Sequence, residues 1–147
     1  MISLPSLLSL AHFIGLALGV GCATAKLTLL VRCRADQAFV PAYIVAAKPV
    51  TRLIVLGLAL LTLSGVGWLL LGYPFTPLLV VKLALVGAIW VLGPIIDIVV
   101  EPKFEKLSPR LGEPASPGFI RIQQHYLRLE LIATGLFYVI VVMWVLV

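Results

Sequence analysis

Residues 4–32, LPSLLSLAHFIGLALGVGCATAKLTLLVR, form an apolar run interrupted by two ionisable groups, His12 and Lys26. Roughly 20 apolar residues suffice to cross a bilayer as a helix, and this run is longer. His12 and Lys26 lie fourteen positions apart, which is about 21 Å along an α-helix and within about 40° around its axis. Small residues at four-residue spacing let a neighbouring helix approach closely, so we expect this face to be buried. The predicted packing residues between the two polar groups are Gly15, Gly19 and Ala23.

The composition predicts a protein that resides in lipid. The chain has 147 residues, of which 62% are hydrophobic, and its mean hydropathy is +1.17. A soluble domain of this size has too little interior to hide that much apolar side chain, so the lipid bilayer is the expected surrounding. The net charge of +5 comes from bases at helix ends rather than from a basic stripe with interleaved aromatics, so nucleic acid is not an expected partner.

Three further apolar stretches predict three further membrane helices. The short turn YPFTP between the second and third makes them antiparallel neighbours, and a proline-rich polar loop precedes the last. The linker before the second helix contains Pro41 and Pro49 and is expected to lie on the membrane surface. The predicted fold is all-α, an integral membrane four-helix up-and-down bundle forming a single transmembrane domain over residues 1–147. Its helices are expected at about residues 4–31, 50–72, 77–100 and 119–147.

The distribution of bases predicts the orientation. Every Lys and Arg except Lys82 flanks either the loop between helices one and two or the loop between helices three and four. Positively charged loops remain in the cytoplasm, so these two loops are expected to be cytoplasmic and both termini outside. Tyr43 and Tyr126 are then expected at the inner membrane interface.

Helices one and three both run from outside to inside, which pairs their polar residues by depth. Lys26 and Asp97 fall at one level near the inner boundary, and we predict a structural charge pair between them; Glu130 and Arg128 lie near enough to extend it. Ionisable groups within a membrane usually face the bundle interior or one another. Gly93, on the same side of the third helix, is a further predicted packing residue.

His12 and Lys82 fall at a second shared level, about 10 Å below the outer helix ends. Two interpretations remain open. In the first, His12 bonds a backbone carbonyl and Lys82 extends its ammonium to the outer surface. In the second, both side chains point at one bound group, since a neutral imidazole is a good axial ligand of haem iron and a deprotonated lysine can also ligate.

Four segments carry a resemblance to known proteins: AHFIGLALGVG (11–21), KPVTRLIVLGLALLTLSGVGWLL (48–70), VVKLALVGAIWVLG (80–93) and HYLRLELIATGLFYVIVVMWVLV (125–147). In these segments the chain resembles a group of bacterial membrane proteins. This group includes the HemJ-type protoporphyrinogen IX oxidases, the copper-resistance D (CopD) domain and related uncharacterised integral membrane proteins. The resemblance implies a multi-pass protein of the bacterial inner membrane, and it implies haem b binding at His12, through the iron, and at Lys82.

Three classes of function remain open from the sequence. The favoured one is an accessory subunit that packs against a larger respiratory, photosynthetic or similar membrane complex, its polar interior being structural. The second is a haem-b-binding redox or porphyrin-handling protein like the HemJ-type oxidases, and the third is a copper-import or small transport module. Whether the chain is an enzyme stays open. The faces predicted to contact other subunits are Leu56, Leu60 and Leu63 on helix two and Phe137, Val141 and Trp144 on helix four.

Overall fold

The computed structural model describes residues 3–110 and 112–145, with the side chains of residues 144 and 145 left out. Within these residues the regular structure is entirely helical, and the helices are joined by short turns. A 3₁₀ turn, Gln37–Phe39, precedes the second helix, and a π-helical segment, Ile95–Val100, interrupts the third. The α-helices are α1 (Leu4–Ala35), α2 (Val40–Leu70), α3 (Pro77–Pro94), α4 (Glu101–Leu107) and α5 (Pro117–Val145).

Hydroxyl side chains cap the N-termini of three helices. The side chain of Ser3 accepts a hydrogen bond from the backbone N–H of Ser6, and that of Thr76 accepts one from Leu79. Ser116 caps α5 in the same way. Each cap satisfies one of the free N–H groups at a helix start, and each is followed within two residues by a proline, which needs no N–H there. These local signals fix where the helices begin.

Two helices extend further than the sequence pattern suggests. The expected surface linker is helical, so α2 begins at Val40 and contains Pro49; only Asp36 and the 3₁₀ turn separate it from α1. The third helix continues through the π-helical segment and α4 as far as Leu107. Pro94 cannot donate a backbone hydrogen bond, and the wide π turn that follows lets the chain remain helical beyond it.

Four helical stretches are long and apolar enough to cross a membrane, as the composition predicts: Leu4–Ala35, Gln37–Leu70, Pro77–Leu107 and Pro117–Met143. Helix α1 packs mainly along α2, while α5 packs against both α1 and α3. The arrangement therefore places α5 between the α1–α2 pair and α3.

The buried residues form two clusters of unequal size. The smaller core consists of Ala23, Leu58, Ile89 and Phe137, midway along the helices. The larger core lies at the end of the bundle where α1 meets α2 and where the third helix continues into α4, and it includes a group of interlocked aromatic rings. Its residues are Leu30, Cys33, Val40, Tyr43, Ala47, Ile96, Val100, Phe104, Phe119, Tyr126 and Ala133.

Candidate functional site

Lys26 is the centre of a buried ion network that joins three helical stretches. Its side chain is 2% exposed, and its Nζ lies 3.3 Å from Asp97 Oδ1 and 3.0 Å from Glu101 Oε2. A third carboxylate comes from α5, where Glu130 Oε1 lies 2.9 Å from the same Nζ. One ammonium group thus holds together α1, the π-helical segment with the start of α4, and α5.

Two buried tyrosines extend the network. The Tyr126 hydroxyl donates to Glu101 Oε2 at 3.1 Å, and the Tyr43 hydroxyl donates to Tyr126 at 2.8 Å. Lys26 Nζ also lies 5.6 Å from the centre of the Tyr126 ring, within the range of a cation–π contact. The chain of hydrogen bonds connects the ion network directly to the larger core.

The local backbone explains how two of these carboxylates reach one lysine. Asp97 lies within the π-helical segment, and Glu101 follows four positions later. Residues four positions apart lie on one side of a helix, so both carboxylates can face Lys26. Lys26 itself follows Gly19 and Ala23 on the buried face of α1.

The network contains more acid than base. Three carboxylates surround one ammonium group, which gives a charge of about −2 when all four groups are ionised. Uncompensated charge in an apolar interior is costly. The arrangement therefore favours an additional proton or cation beside the carboxylates.

The sequence analysis predicts some members of this network and misses others. Lys26 and Asp97 meet, and Glu130 joins them, whereas Arg128 is exposed. Glu101 escaped prediction because it precedes Pro102 in a polar stretch that is typical of a loop; its four-residue spacing from Asp97 was the available signal. Tyr43 and Tyr126, expected at the membrane interface, are instead 1% and 0% exposed.

The small residues of α1 bring its backbone very close to that of α2. A Cβ atom at Gly15 would lie 2.8 Å from the carbonyl oxygen of Gly57 on α2, and one at Gly19 would lie 3.1 Å from the ring of Phe137. Ala23 is buried beside them. Gly93 differs, because a Cβ atom there would meet nothing within 4 Å. The structure places Gly93 on a cavity wall and not at a close helix contact.

His12 bonds to α2 rather than to a backbone carbonyl. Its Nδ1 lies 2.9 Å from the Ser64 hydroxyl, which in turn donates to the carbonyl of Leu60. Lys82 is half-buried, and among the described residues no hydrogen bond or ion pair joins it to His12. The two side chains nevertheless lie close enough for the charge of Lys82 to act on the imidazole of His12.

The hydrogen bond of His12 decides which of its ring nitrogens is available to a metal. A hydrogen bond at Nδ1 leaves Nε2 as the ring nitrogen available to a metal. However, Gly15 and Gly19, the small residues that would line a cofactor pocket below His12, are filled by α2 and by Phe137. The glycine face of α1 is therefore turned toward α2 and α5 and not toward α3. No set of three or more His, Cys, Asp or Glu side chains is arranged for a metal ion within residues 3–110 and 112–145.

A cavity of about 160 Å³ adjoins the ion network in the middle of the bundle. Lys26, Asp97, Glu130 and Thr51 form its polar end. The remainder of its wall is apolar and comes from α2, α3 and α5, with Gly93 beside Trp90 on α3. It lies between the two cores, where the helices diverge.

Comparison with protein-family models, with characterised proteins and with solved structures finds no match to this chain.

Proposed function

We propose that this chain is an accessory subunit of a larger membrane complex in the bacterial inner membrane. Four helices cross the bilayer, both termini lie outside, and the loops between α1 and α2 and between α4 and α5 are cytoplasmic. The support for this orientation is the concentration of Lys and Arg at those loops. The larger core and the ion network then lie at the cytoplasmic end, where Tyr126 and Glu101 fix the helices to one another.

The observation that carries the subunit proposal is a second ladder of small residues on α1. Ala17, Gly21 and Ala25 repeat at four-residue spacing, and all three are exposed. They lie about half a turn around the helix from Gly15 and Gly19, which are occupied by α2. Small-residue ladders are the usual contact surfaces between helices in lipid. One ladder of α1 is thus used within the chain, and the other is available to a partner helix.

The internal packing removes one residue from the faces that the sequence suggested; the side chain of Trp144, on the same face, lies outside the described residues. Phe137 is 3% exposed and belongs to the smaller core, so the prediction that it contacts another subunit is wrong. Leu63 on α2 is exposed, but its neighbours on that face are bulky and branched. The Ala17–Gly21–Ala25 ladder allows closer backbone approach and is the better supported contact surface.

Gly21→Leu tests the proposal directly. A side chain at Gly21 meets nothing within 4 Å inside the chain, so the variant should fold normally but lose its partner. Native electrophoresis of solubilised membranes should show the wild type in a large complex and the variant at the mass of the free chain.

Gly87→Leu on α3 is the matched control, since Gly87 is also exposed and also has open space at Cβ. It should leave the complex intact. The proposal fails if the wild type migrates as a free monomer, or if Gly21→Leu remains in the complex.

Haem b binding is a second candidate, favoured by the orientation of His12. Its Nδ1 is held by Ser64, as axial histidines are commonly held through the nitrogen that does not bind iron. His12→Ala should then abolish the Soret absorption of the purified protein, and His125→Ala, on the exposed start of α5, should not. A preparation without porphyrin absorption would remove this candidate.

A further inference from the structure

The cavity between the two cores combines one charged end with apolar walls. Asp97 and Glu130 line the charged end together with Lys26. Ile89 and Phe137, both 3% exposed, belong to the apolar part. Sites that bind small molecules are typically apolar cavities with a few convergent polar groups, and this cavity has that composition.

Two of the three carboxylates that contact Lys26 also line the cavity. Glu101 accepts hydrogen bonds from both Lys26 and Tyr126 and does not line the cavity. Asp97 accepts one hydrogen bond, from Lys26. Glu130 is 4% exposed, and its Oε1 lies 2.9 Å from Lys26 Nζ. Two carboxylates therefore face the cavity with a share of one ammonium group between them.

Thr51 adds a hydroxyl group to the polar part of the cavity lining. Its hydroxyl oxygen is buried, lines the cavity and has no hydrogen-bond partner. Other helix hydroxyls in this bundle donate to the carbonyl four residues earlier, as Thr24, Thr62 and Ser64 do. Thr134 and Gln123 also carry a buried polar atom without a partner, but they do not line the cavity. The Thr51 hydroxyl differs from them because it can bond to a molecule in the cavity.

The composition of the cavity walls favours an organic ammonium ion over a metal ion. A bare metal ion takes about six or more oxygen ligands, and this cavity offers two carboxylates and one hydroxyl against mainly hydrocarbon walls. An organic ammonium ion instead places its N–H donors on the carboxylates and its apolar body on the walls. Trp90 and Phe137 add aromatic rings to the lining, which favour a cation nearby.

We propose that this cavity binds a small amphiphilic cation, a primary ammonium ion with one compact apolar group. Its ammonium lies at Asp97 and Glu130, within reach of the Thr51 hydroxyl, and its apolar group lies among Leu58, Ile89 and Phe137. An apolar cavity of about 150 Å³ holds one benzene molecule, so the volume suits a ligand such as benzylammonium, with about eight non-hydrogen atoms.

The test is calorimetric titration of the purified full chain in detergent with benzylammonium and, separately, with benzyl alcohol, its neutral analogue. Benzylammonium should bind saturably at one site per chain. Benzyl alcohol lacks the charge, so its affinity should be lower by about tenfold or more. Equal affinity for the two probes overturns the proposal. Complete displacement of benzylammonium by equimolar sodium would assign the site to a bare cation and also overturns it.

Three variants locate the site. Gly93→Leu adds a side chain to the cavity wall where an added Cβ meets no atom within 4 Å, so it should fold and should reduce the affinity by about tenfold or more. Asp97→Asn should do the same by removing charge. Glu105→Gln is the control, an exposed carboxylate on α4 paired with Lys48, and should change nothing. Undiminished binding to Gly93→Leu refutes the proposal even if Asp97→Asn fails to fold.

Discussion

Replacing Lys26 with methionine tests how much the buried ion network contributes to the free energy of unfolding. Methionine preserves most of the side-chain volume but removes the charge that lies 2.9–3.3 Å from three carboxylates. Breaking a buried ion pair from one side typically costs about 3–5 kcal/mol, since the remaining charge is left without compensation. Because Lys26 is 2% exposed and has three partners, we expect the upper part of that range in the free energy of unfolding.

Substituting one of the carboxylates should change the free energy of unfolding much less than substituting Lys26. Glu130→Gln removes one of the surplus carboxylates and keeps the shape of the side chain, so we expect a change in unfolding free energy within about 1 kcal/mol. Combined with Lys26→Met, it should recover at least about 1 kcal/mol of the loss, because one fewer unpaired charge then remains buried. Residues of one ion network are expected to show such non-additivity.

Reversible unfolding of the purified protein in mixed micelles, followed by circular dichroism, measures these differences. Lys48→Met is the control: Lys48 pairs with Glu105 at 3.5 Å, but the two side chains are 61% and 44% exposed, and exposed pairs contribute about 0–1 kcal/mol. If Lys26→Met costs no more than Lys48→Met, the network does not stabilise the fold and the reasoning is wrong.

Three further outcomes follow from the packing and the proposed orientation. Gly57→Ala should lower the free energy of unfolding by about 1–3 kcal/mol, because its Cβ atom would meet the α1 backbone, whereas Gly65→Ala, with open space at Cβ, should not destabilise; thermal unfolding compares the two. Tyr126→Phe should cost about 1–3 kcal/mol in the same assay, since it removes the hydroxyl between Tyr43 and Glu101, and a neutral result would show that the rings alone stabilise this region. With both native cysteines replaced by alanine, Phe75→Cys in the turn after α2 should react with an impermeant thiol reagent in intact cells, whereas Glu113→Cys should react only after lysis. The reverse pattern would invert the topology.

The meeting of Lys26 with Asp97 could be predicted from sequence because helical rise is nearly constant. Counting residues from the ends of two parallel helices gives their depth, and an ionisable group in lipid has few alternatives to pairing. Glu101 could not be placed in the same way, because whether a helix continues past Pro102 depends on packing. The burial of Phe104 in the larger core keeps the chain helical where the local sequence favours a loop.

The glycines of α1 show a different limit. Spacing identified the face of Gly15 and Gly19 as a contact surface, but spacing carries no information on which helix fills it. Gly57 on α2 has the complementary small surface, so α2 packs directly against this face. The second ladder, at Ala17, Gly21 and Ala25, has the same spacing in the sequence, and only the structure separates the filled ladder from the exposed one.

The uneven packing of the bundle bears on how the cavity is reached. Ile89 is the one fully buried residue among the eighteen of α3, whereas the continuation of that helix is held by the larger core and by Lys26. Segments with few buried contacts open at lower free energy than well-packed ones. The part of the helix that precedes the π-helical segment, α3, is therefore the element expected to move when a molecule enters the cavity. Pro94 removes one backbone hydrogen bond and lies at the junction between this mobile part and the well-packed continuation of the helix. The ion network then has two roles that do not conflict: Glu101 and Tyr126 stabilise the fixed end, and Asp97 and Glu130 present charge to the cavity.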